Sequence, residues 1–363
     1  MKITFLHPTV NLSGGIRVAA IHAAGLAARG HEVRHISVTP RQPGWVAQAK
    51  SVLRGRGPIP WSGAPRASHL DDTDVPHTVL PTPTIAPDQV PDGDVVVATW
   101  WETAEWLAAL PASKGAKVHL IQDYEMFDHL PRARVEAVYR LPVHRVAVSN
   151  YIRRMLEQHH GAEGVDLVPN AVDLDHFTAP PRARSDGLCV GAVYTERPRK
   201  NLALAIAVLE AAKVRLPHLR AVVFGTQDIA DFLPLPDWVD YHKDPAQRAI
   251  PGLYAQADLW LFTSESEGFG LPLLEAMACR TPVLATAAGA APDLIDGRNG
   301  EVLPAEVDAF VAALERFDAM PDAEWQRYSQ AAMRTAQRYT WDMAFDLLEQ
   351  SLIRAVAQPG TPA

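Results

Sequence analysis

Short apolar runs alternate with helical stretches along most of the chain, and this alternation limits the possible folds. Near the N-terminus, the runs ITFLH and EVRHISV flank a glycine-containing turn and a helical stretch that ends at Gly30. Two strands separated by a helix are typically parallel neighbours in one sheet, because the helix supplies the crossover. Three further strand-like runs follow, namely DVVVATWW, AKVHLIQ and HRVAVS. The first half therefore predicts a parallel-sheet domain.

A second domain of the same kind is predicted after the stretch TAPPRARSDG, which is typical of a linker. The strands expected there are LCVGAVY, RAVVFG, VDYH, DLWLF, PVLAT and GEVLP. A length of 363 residues agrees with two domains of ordinary size. We therefore predict an α/β protein with two Rossmann-like parallel-sheet domains that face a central cleft. The expected ranges are 1–180 and 181–338, with a C-terminal helix over 339–363 that packs back toward the first domain.

The composition excludes several classes of protein. With 48% hydrophobic and 21% charged residues, the chain has the make-up of an ordinary globular protein rather than a disordered one. A net charge of −8 argues against non-specific binding of nucleic acid, which needs a basic surface. Cys189 and Cys279 lie far apart within apolar runs, so reduced core thiols are expected rather than a disulfide or a metal site.

A cytoplasmic location is expected for the chain. Its N-terminus, MKITFLHP, lacks the apolar segment of a signal peptide, and no uninterrupted apolar run is long enough to span a bilayer. Solvated helix faces are the favoured interpretation of a cluster of arginines in the first half, and peripheral contact with the inner face of the membrane is the alternative. The cluster consists of Arg132, Arg134, Arg140, Arg145, Arg153 and Arg154.

A nicotinamide-binding domain is the first rival interpretation of the N-terminal half. Its fingerprint is G-x-G-x-x-G after a strand, with an acidic residue about 20 positions further on. The stretch SGGIRVAAIHAAG lacks that spacing, and the second strand ends in Val38 and Thr39 without an acidic residue. The sequence therefore disfavours an oxidoreductase.

The stretch TSESEGFGLPLLEAMACRTPV directly follows DLWLF, which reads as a buried strand. Ligands of parallel sheets bind beyond the carboxyl ends of the strands, so this loop is expected to lie at a site. Pro272 suits the start of a helix, whose free N–H groups favour a phosphate, while Gly268 and Gly270 let the backbone approach a ligand closely. Glu267 and Glu275 would repel a phosphate but suit neutral hydroxyls. A ligand with a phosphate between two polyols, such as a nucleotide sugar, fits this pattern.

This stretch resembles the donor-site signature of retaining glycosyltransferases of family 4, which have the two-domain GT-B fold. Three other stretches resemble parts of that family in the expected order: LSGGIR its N-terminal glycine loop, VPNAVDLDHF its interdomain segment and ERPRKN its basic loop. LIQDYE is also similar to bacterial rhamnosyltransferases that build surface glycans. The resemblance covers nearly the whole chain and is weak between residues 39 and 94.

The resemblance implies a hexosyltransferase that needs neither a metal nor a cofactor. A UDP-, GDP- or dTDP-sugar would donate its sugar, with retention at the anomeric carbon, to a hydroxyl of a glycan, a lipid-linked molecule or a small molecule. The donor would bind mainly to the second domain and the acceptor mainly to the first. An epimerase or phosphorylase on the same fold, or a nucleotide-sugar-binding protein without activity, is the alternative.

The resemblance also implies roles for single residues. Glu275 would bind the ribose of the nucleotide, and Glu267 would bind the transferred sugar near the reacting centre. Lys200 would neutralise the diphosphate. Close contact with the donor would come from Gly14, Gly15, Gly268, Phe269, Gly270 and Leu271.

Two positions depart from the family pattern. Tyr194 stands where the family often has an arginine six residues before the lysine, so Arg197 or Arg199 is expected to take that role. Many members have His-Asp at the end of the strand that here reads LIQDYE, whereas this chain has Gln122 and Asp123. Asp123 is expected either to bind the acceptor or to make structural hydrogen bonds.

Overall fold

The computed structural model describes residues 1–40, 44–55, 57–59 and 67–357. Within them the chain divides into two compact units, each built on one parallel sheet. Residues 41–43, 56 and 60–66 of the proline-rich stretch, and residues 358–363 of the expected C-terminal helix, lie outside the described residues. The first unit contains Met1–Ala147, Met155–Leu167 and the chain from Phe345 onward, and the second contains Val148–Arg154 and Val168–Ala344.

The first unit contains a seven-stranded sheet. Its described strands are β1 (Lys2–Leu6), β2 (Glu32–Val38), β3 (His77–Leu80), β4 (Val95–Ala98), β5 (Ala116–Ile121), β6 (His144–Ala147) and β7 (Asp166–Leu167). They pair in parallel in the order β3-β2-β1-β4-β5-β6-β7. The helices in this part of the chain are α1 (Gly14–Ala28), α2 (Trp45–Leu53), α3 (Trp101–Ala108), α4 (Arg132–Tyr139) and α5 (Asn150–His160).

The second unit contains a six-stranded sheet. Its described strands are β8 (Cys189–Val193), β9 (Arg220–Gly225), β10 (Val239–Lys243), β11 (Leu259–Phe262), β12 (Val283–Ala285) and β13 (Gly300–Val302). They pair in parallel in the order β10-β9-β8-β11-β12-β13. The helices in this part of the chain are α6 (Leu202–Arg215), α7 (Ile250–Gln256), α8 (Leu271–Ala278), α9 (Ala291–Leu294), α10 (Val307–Ala319), α11 (Asp322–Ala336) and α12 (Trp341–Ala357), of which α12 belongs to the first unit from Phe345 onward.

Both sheets have the strand order of a doubly wound Rossmann domain. In each, the first strand lies inside the sheet and the following strands extend first to one side and then to the other. Strands β4 and β11 are buried along their whole length, as expected where helices cover both faces of a parallel sheet. The predicted α/β architecture of two Rossmann-like parallel-sheet domains is confirmed. The order reverses between β8 and β11 in the second unit, and ligands of such sheets bind at that position.

Helix α12 packs on the first unit from Phe345 onward. Arg29 Nη1 lies 2.6 Å from Asp346 Oδ1 and 3.1 Å from Glu349 Oε2. A Cβ atom at Gly25 of α1 would lie only 2.4 Å from the Phe345 ring, so the two helices can meet there only because the residue is glycine. No helix in the described ranges combines the length and the apolar character needed to cross a bilayer.

Candidate functional site

A cavity of about 360 Å³ lies in the second unit beyond the carboxyl ends of β8, β9, β10 and β11. It therefore lies where the strand order reverses, and its volume is within the range of small-molecule sites. Apolar side chains of the strands form part of the wall, and the loops that follow the strands add polar groups. These polar groups include Thr195, Thr226, Gln227, Asp244, Thr263 and Ser264.

Lys200 and Glu267 line this cavity and form a salt bridge between Nζ and Oε1. The lysine follows β8 and the glutamate follows β11, and these strands are neighbours in the sheet. The side chain of Glu267 is only 6% exposed, whereas that of Lys200 is 24% exposed. Ser264 Oγ donates a second hydrogen bond to Glu267 Oε1, at 2.8 Å. The cavity wall therefore carries a buried carboxylate held in place beside a partly exposed cation.

Hydrogen bonds join the loop that carries Lys200 to the loop that carries Glu267. The backbone N–H of Glu265 donates to the carbonyl of Arg199 at 2.8 Å, and Thr263 Oγ1 donates to the carbonyl of Asn201 at 3.0 Å. Asn201 adopts a left-handed conformation with φ of 46°, and its side chain caps α6 by accepting from the N–H of Leu204. The position of the salt bridge is thus fixed by backbone contacts on both sides.

The segment after Glu267 is also tightly held within the second unit. Ser149 Oγ donates to the carbonyl of Gly268 at 2.5 Å. Gly289 has a φ of 56°, and a Cβ atom there would lie 2.5 Å from the Phe269 carbonyl oxygen and 2.7 Å from Cβ of Glu267. Residue 289 must therefore be glycine for this loop to keep its path.

Helix α8 begins at the cavity, as the sequence predicts for Pro272. Gly270 is the N-cap residue with a φ of 96°, and a Cβ atom there would lie 2.7 Å from the Phe262 ring. Leu271 is the first helical residue, and Pro272 lines the cavity. The first turn of α8, with its free N–H groups and positive dipole end, thus lies at the wall where an anion is expected.

Glu275 lies one turn further along α8 and is not among the residues that line the cavity. Its Oε2 accepts a hydrogen bond of 2.8 Å from the hydroxyl of Tyr254, which is fully buried. The structure thus places the two glutamates of the motif on one segment but in different surroundings.

The two candidate arginines differ in position. Arg197 lines the cavity, whereas Arg199 is not among the lining residues and supplies the carbonyl that holds Glu265. Tyr194, at the position where the resembling family often has an arginine, is buried. Its hydroxyl donates to the carbonyl of Leu233 at 3.0 Å and accepts from the N–H of Ala230 at 2.8 Å, so it holds the loop after β9.

The remaining candidates lie in the first unit. Gly14 and Gly15 are the first two residues of α1, and a Cβ atom at Gly15 would lie 3.7 Å from the side-chain amide of Gln122. Asp123 Oδ1 accepts a hydrogen bond of 2.9 Å from the N–H of Tyr124. The structure therefore brings the glycine turn and the end of β5 together within this unit.

Glu125, for which the sequence leaves open the same two roles as for Asp123, is a buried carboxyl. It accepts a hydrogen bond of 2.8 Å from the N–H of Trp101, at the start of α3. Burial raises the pKa of Glu125 well above its ordinary value, and the nearby Asp123 carboxylate raises it further, against the opposing effect of the Trp101 N–H. Burial therefore favours the neutral form of Glu125.

Three residues that hold the loop of Glu267 were missed by sequence reasoning: Ser264, Ser149 and Gly289. Ser264 immediately follows the buried strand, and Gly289 stands alone in the small-residue run after β12, so both carried a weak local signal. The contact of Ser149 spans 119 positions and has no signal in a single sequence. Among the described residues, no group of three or more His, Cys, Asp or Glu side chains is arranged to hold a metal ion.

Comparison with known proteins finds a family match over the part of the chain that contains the cavity. Residues 181–334, which include every residue of the cavity wall, match the sequence model of the family described as "Glycosyl transferases group 1". Two relatives are D-inositol 3-phosphate glycosyltransferases. That of Mycobacteroides abscessus is 31% identical over 224 residues, covering 54% of this chain and 48% of the relative. That of Mycobacterium avium is 30% identical over 228 residues, covering 57% and 53%. The chain spans about half the length of the curated relatives it matches.

Solved structures resemble the whole chain. Sucrose-phosphate synthase of Thermosynechococcus elongatus superposes with a TM-score of 0.73 at 17% identity, covering 98% of this chain and all of the other. Anabaena HepE, in complex with UDP and glucose, superposes with a TM-score of 0.71 at 18% identity, covering 97% and 99%. At this level of identity the likeness establishes the fold. The chain has the GT-B fold, and its residues 181–334 resemble the glycosyl transferases of group 1.

Proposed function

We propose that the chain is a glycosyltransferase that moves a sugar from a nucleotide-sugar donor to a hydroxyl acceptor. The observation that carries this proposal is the Lys200–Glu267 pair in the wall of the cavity at the point of strand reversal. The match of residues 181–334 to the group 1 family supports the same activity.

Within this proposal, the cation serves the leaving group. Negative charge on the diphosphate is greater in the transition state than in the bound donor, so a fixed Lys200 ammonium lowers the barrier more than it tightens binding. The N–H groups at the start of α8 would add to this effect. A metal ion is then unnecessary, and we propose that transfer proceeds without one and with retention at the anomeric carbon.

Glu267 is proposed to bind the transferred sugar. Both of its described hydrogen bonds, from Lys200 and Ser264, go to Oε1. Oε2 is thus available to accept a hydrogen bond from a sugar hydroxyl, which is a strong interaction when the acceptor is charged and desolvated. Ribose binding by Glu275, donor contact by Gly14 and Gly15, and a role of Asp123 toward the acceptor stay predictions.

The names of the relatives guide the choice of substrates. The relatives are named for D-inositol 3-phosphate, so a cyclic polyol is the first acceptor to test. HepE binds UDP in its solved structure, so UDP-sugars are the first donors to test. GDP- and dTDP-sugars complete the donor panel.

The test is proton NMR of each donor incubated with the protein, with and without the polyol, in the presence of EDTA. We expect an acceptor-dependent product whose anomeric signal has the configuration of the donor. Isomerised donor without an acceptor would indicate an epimerase, and sugar 1-phosphate formed from added phosphate would indicate a phosphorylase. Nucleotide binding without turnover of any donor would indicate a binding protein, and strict dependence on a divalent metal would contradict the mechanism.

A further inference from the structure

Helix α2 has its apolar face exposed to solvent. Residues seven positions apart lie on the same side of a helix, so Trp45 and Val52, and Val46 and Leu53, form one apolar stripe. All four side chains are exposed, Trp45 to 82% and Leu53 to 85%. A surface helix of a globular protein ordinarily buries such a stripe, and an exposed apolar patch marks an interaction site.

The polar face of α2 makes the contacts that hold it in place. Gln48 donates through Nε2 to the carbonyl of Ile59 at 3.0 Å and accepts through Oε1 from the N–H of Ile59 at 2.7 Å. Ser51 Oγ donates to the carbonyl of Gly57 at 2.7 Å. The helix is therefore attached through its polar side chains, and its apolar face points away from these contacts.

The charge of this stretch differs from that of the rest of the chain. The chain carries a net charge of −8, yet no Asp or Glu occurs between Glu32 and Asp71. Lys50 lies on the helix and Arg54 is its C-cap residue, and both are exposed. Basic residues between Thr39 and Leu70 are Arg41, Lys50, Arg54, Arg56 and Arg66.

The arginine cluster suggested by the sequence is a poorer candidate for the same partner. Arg132 is paired with Glu136 at 2.9 Å and Arg134 with Glu105 at 2.5 Å, and Arg145 is buried. Acidic partners thus offset much of the charge of that cluster.

We propose that α2 docks onto an anionic lipid surface. Trp45, Val46, Val52 and Leu53 enter the interfacial layer, and Lys50 and Arg54 contact the headgroups. Tryptophan prefers the membrane interface, and an amphipathic helix with a basic polar face binds in the plane of an anionic bilayer. A symmetric dimer through this face would bring Lys50 and Arg54 of both copies together, so an anionic lipid surface fits the stretch better than a second copy of this chain does. The inference does not rest on the proposed function.

The test is co-sedimentation of the full chain with phosphatidylcholine vesicles, with and without phosphatidylglycerol. We expect binding to the anionic vesicles that weakens with salt. Leu53→Asp should reduce the partition coefficient about tenfold or more, because it removes a large apolar contact and adds a repelled charge. Lys50→Gln should reduce it about fivefold.

Val214→Asp is the matched control, since Val214 is 83% exposed on a helix of the second unit. It should bind vesicles like the parent, and circular dichroism should show that all variants are folded. Equal binding to both kinds of vesicle, no binding by the parent, or unchanged binding by Leu53→Asp would overturn the proposal. The parent could fail to bind vesicles and instead form an oligomer in sedimentation velocity that Leu53→Asp dissociates. In that case the apolar stripe is a contact between copies of the chain.

Discussion

Removing either partner of the Lys200–Glu267 salt bridge should destabilise the second unit, but not equally. Removing one member of a fully buried pair costs about 3–5 kcal/mol, because the other charge is left unpaired. In Lys200→Met the remaining charge is the carboxylate of Glu267, which is 6% exposed and keeps only the Ser264 hydroxyl, so about 3 kcal/mol is expected. In Glu267→Gln the remaining ammonium is 24% exposed and is hydrated through the cavity, so the loss should be about 1 kcal/mol.

The assay is urea unfolding of the parent and both variants at neutral pH, and it should show Lys200→Met to be the less stable of the two variants. Lys243→Met is the control, since Lys243 and Asp228 form an exposed pair in the same unit, and it should cost less than about 1 kcal/mol. If Glu267→Gln proves as destabilising as Lys200→Met, the reasoning from burial is wrong.

Three further predictions follow from named contacts. Gly25→Ala should destabilise the first unit by about 1–3 kcal/mol in thermal melts, because its Cβ would overlap the Phe345 ring that packs on α1. The control Gly252→Ala has open space around its Cβ position, so it should be neutral or stabilising in the same melts. Burial lowers the pKa of His22 to about 4, below its unfolded value of about 6.5, so only the unfolded chain gains this proton as the pH falls. Through His22, the parent should therefore lose about 2 kcal/mol of stability between neutral pH and about pH 5. His22→Leu should abolish this loss, and an unchanged pH profile in the variant would contradict the prediction. Calorimetric titration with a nucleoside diphosphate should show weaker binding for Arg197→Ala, which lines the cavity, than for Arg199→Ala, and the reverse order would assign the role to Arg199.

The alternation of apolar runs and helical stretches predicted all six strands of the second sheet and the five central strands of the first, but not its two short edge strands, β3 and β7. Strands such as β4 and β11 consist almost wholly of apolar residues, and this pattern fits a strand buried on both faces. The start of α8 was also predictable, because Pro272, two residues after Gly270, is a local signal. Signals of this kind involve only residues that are close together in the sequence, so they can be recognised in a single sequence.

Contacts between distant residues could not be predicted in the same way. The salt bridge of Lys200 with Glu267 spans 67 positions and depends on β8 and β11 being neighbours. The exposure of the apolar stripe of α2 could not be predicted either. The apolar residues of α2 have the same spacing as those of a helix that buries its apolar face. Which face a helix presents depends on the tertiary contacts of residues such as Gln48.

A crystal structure of the protein grown with a nucleoside diphosphate would test the donor site most directly. We predict that the diphosphate occupies the cavity of the second unit, with a phosphate oxygen about 3 Å from Lys200 Nζ and near the first turn of α8. A nucleotide bound elsewhere, or a diphosphate remote from Lys200 and α8, would contradict the proposal that this cavity is the donor site.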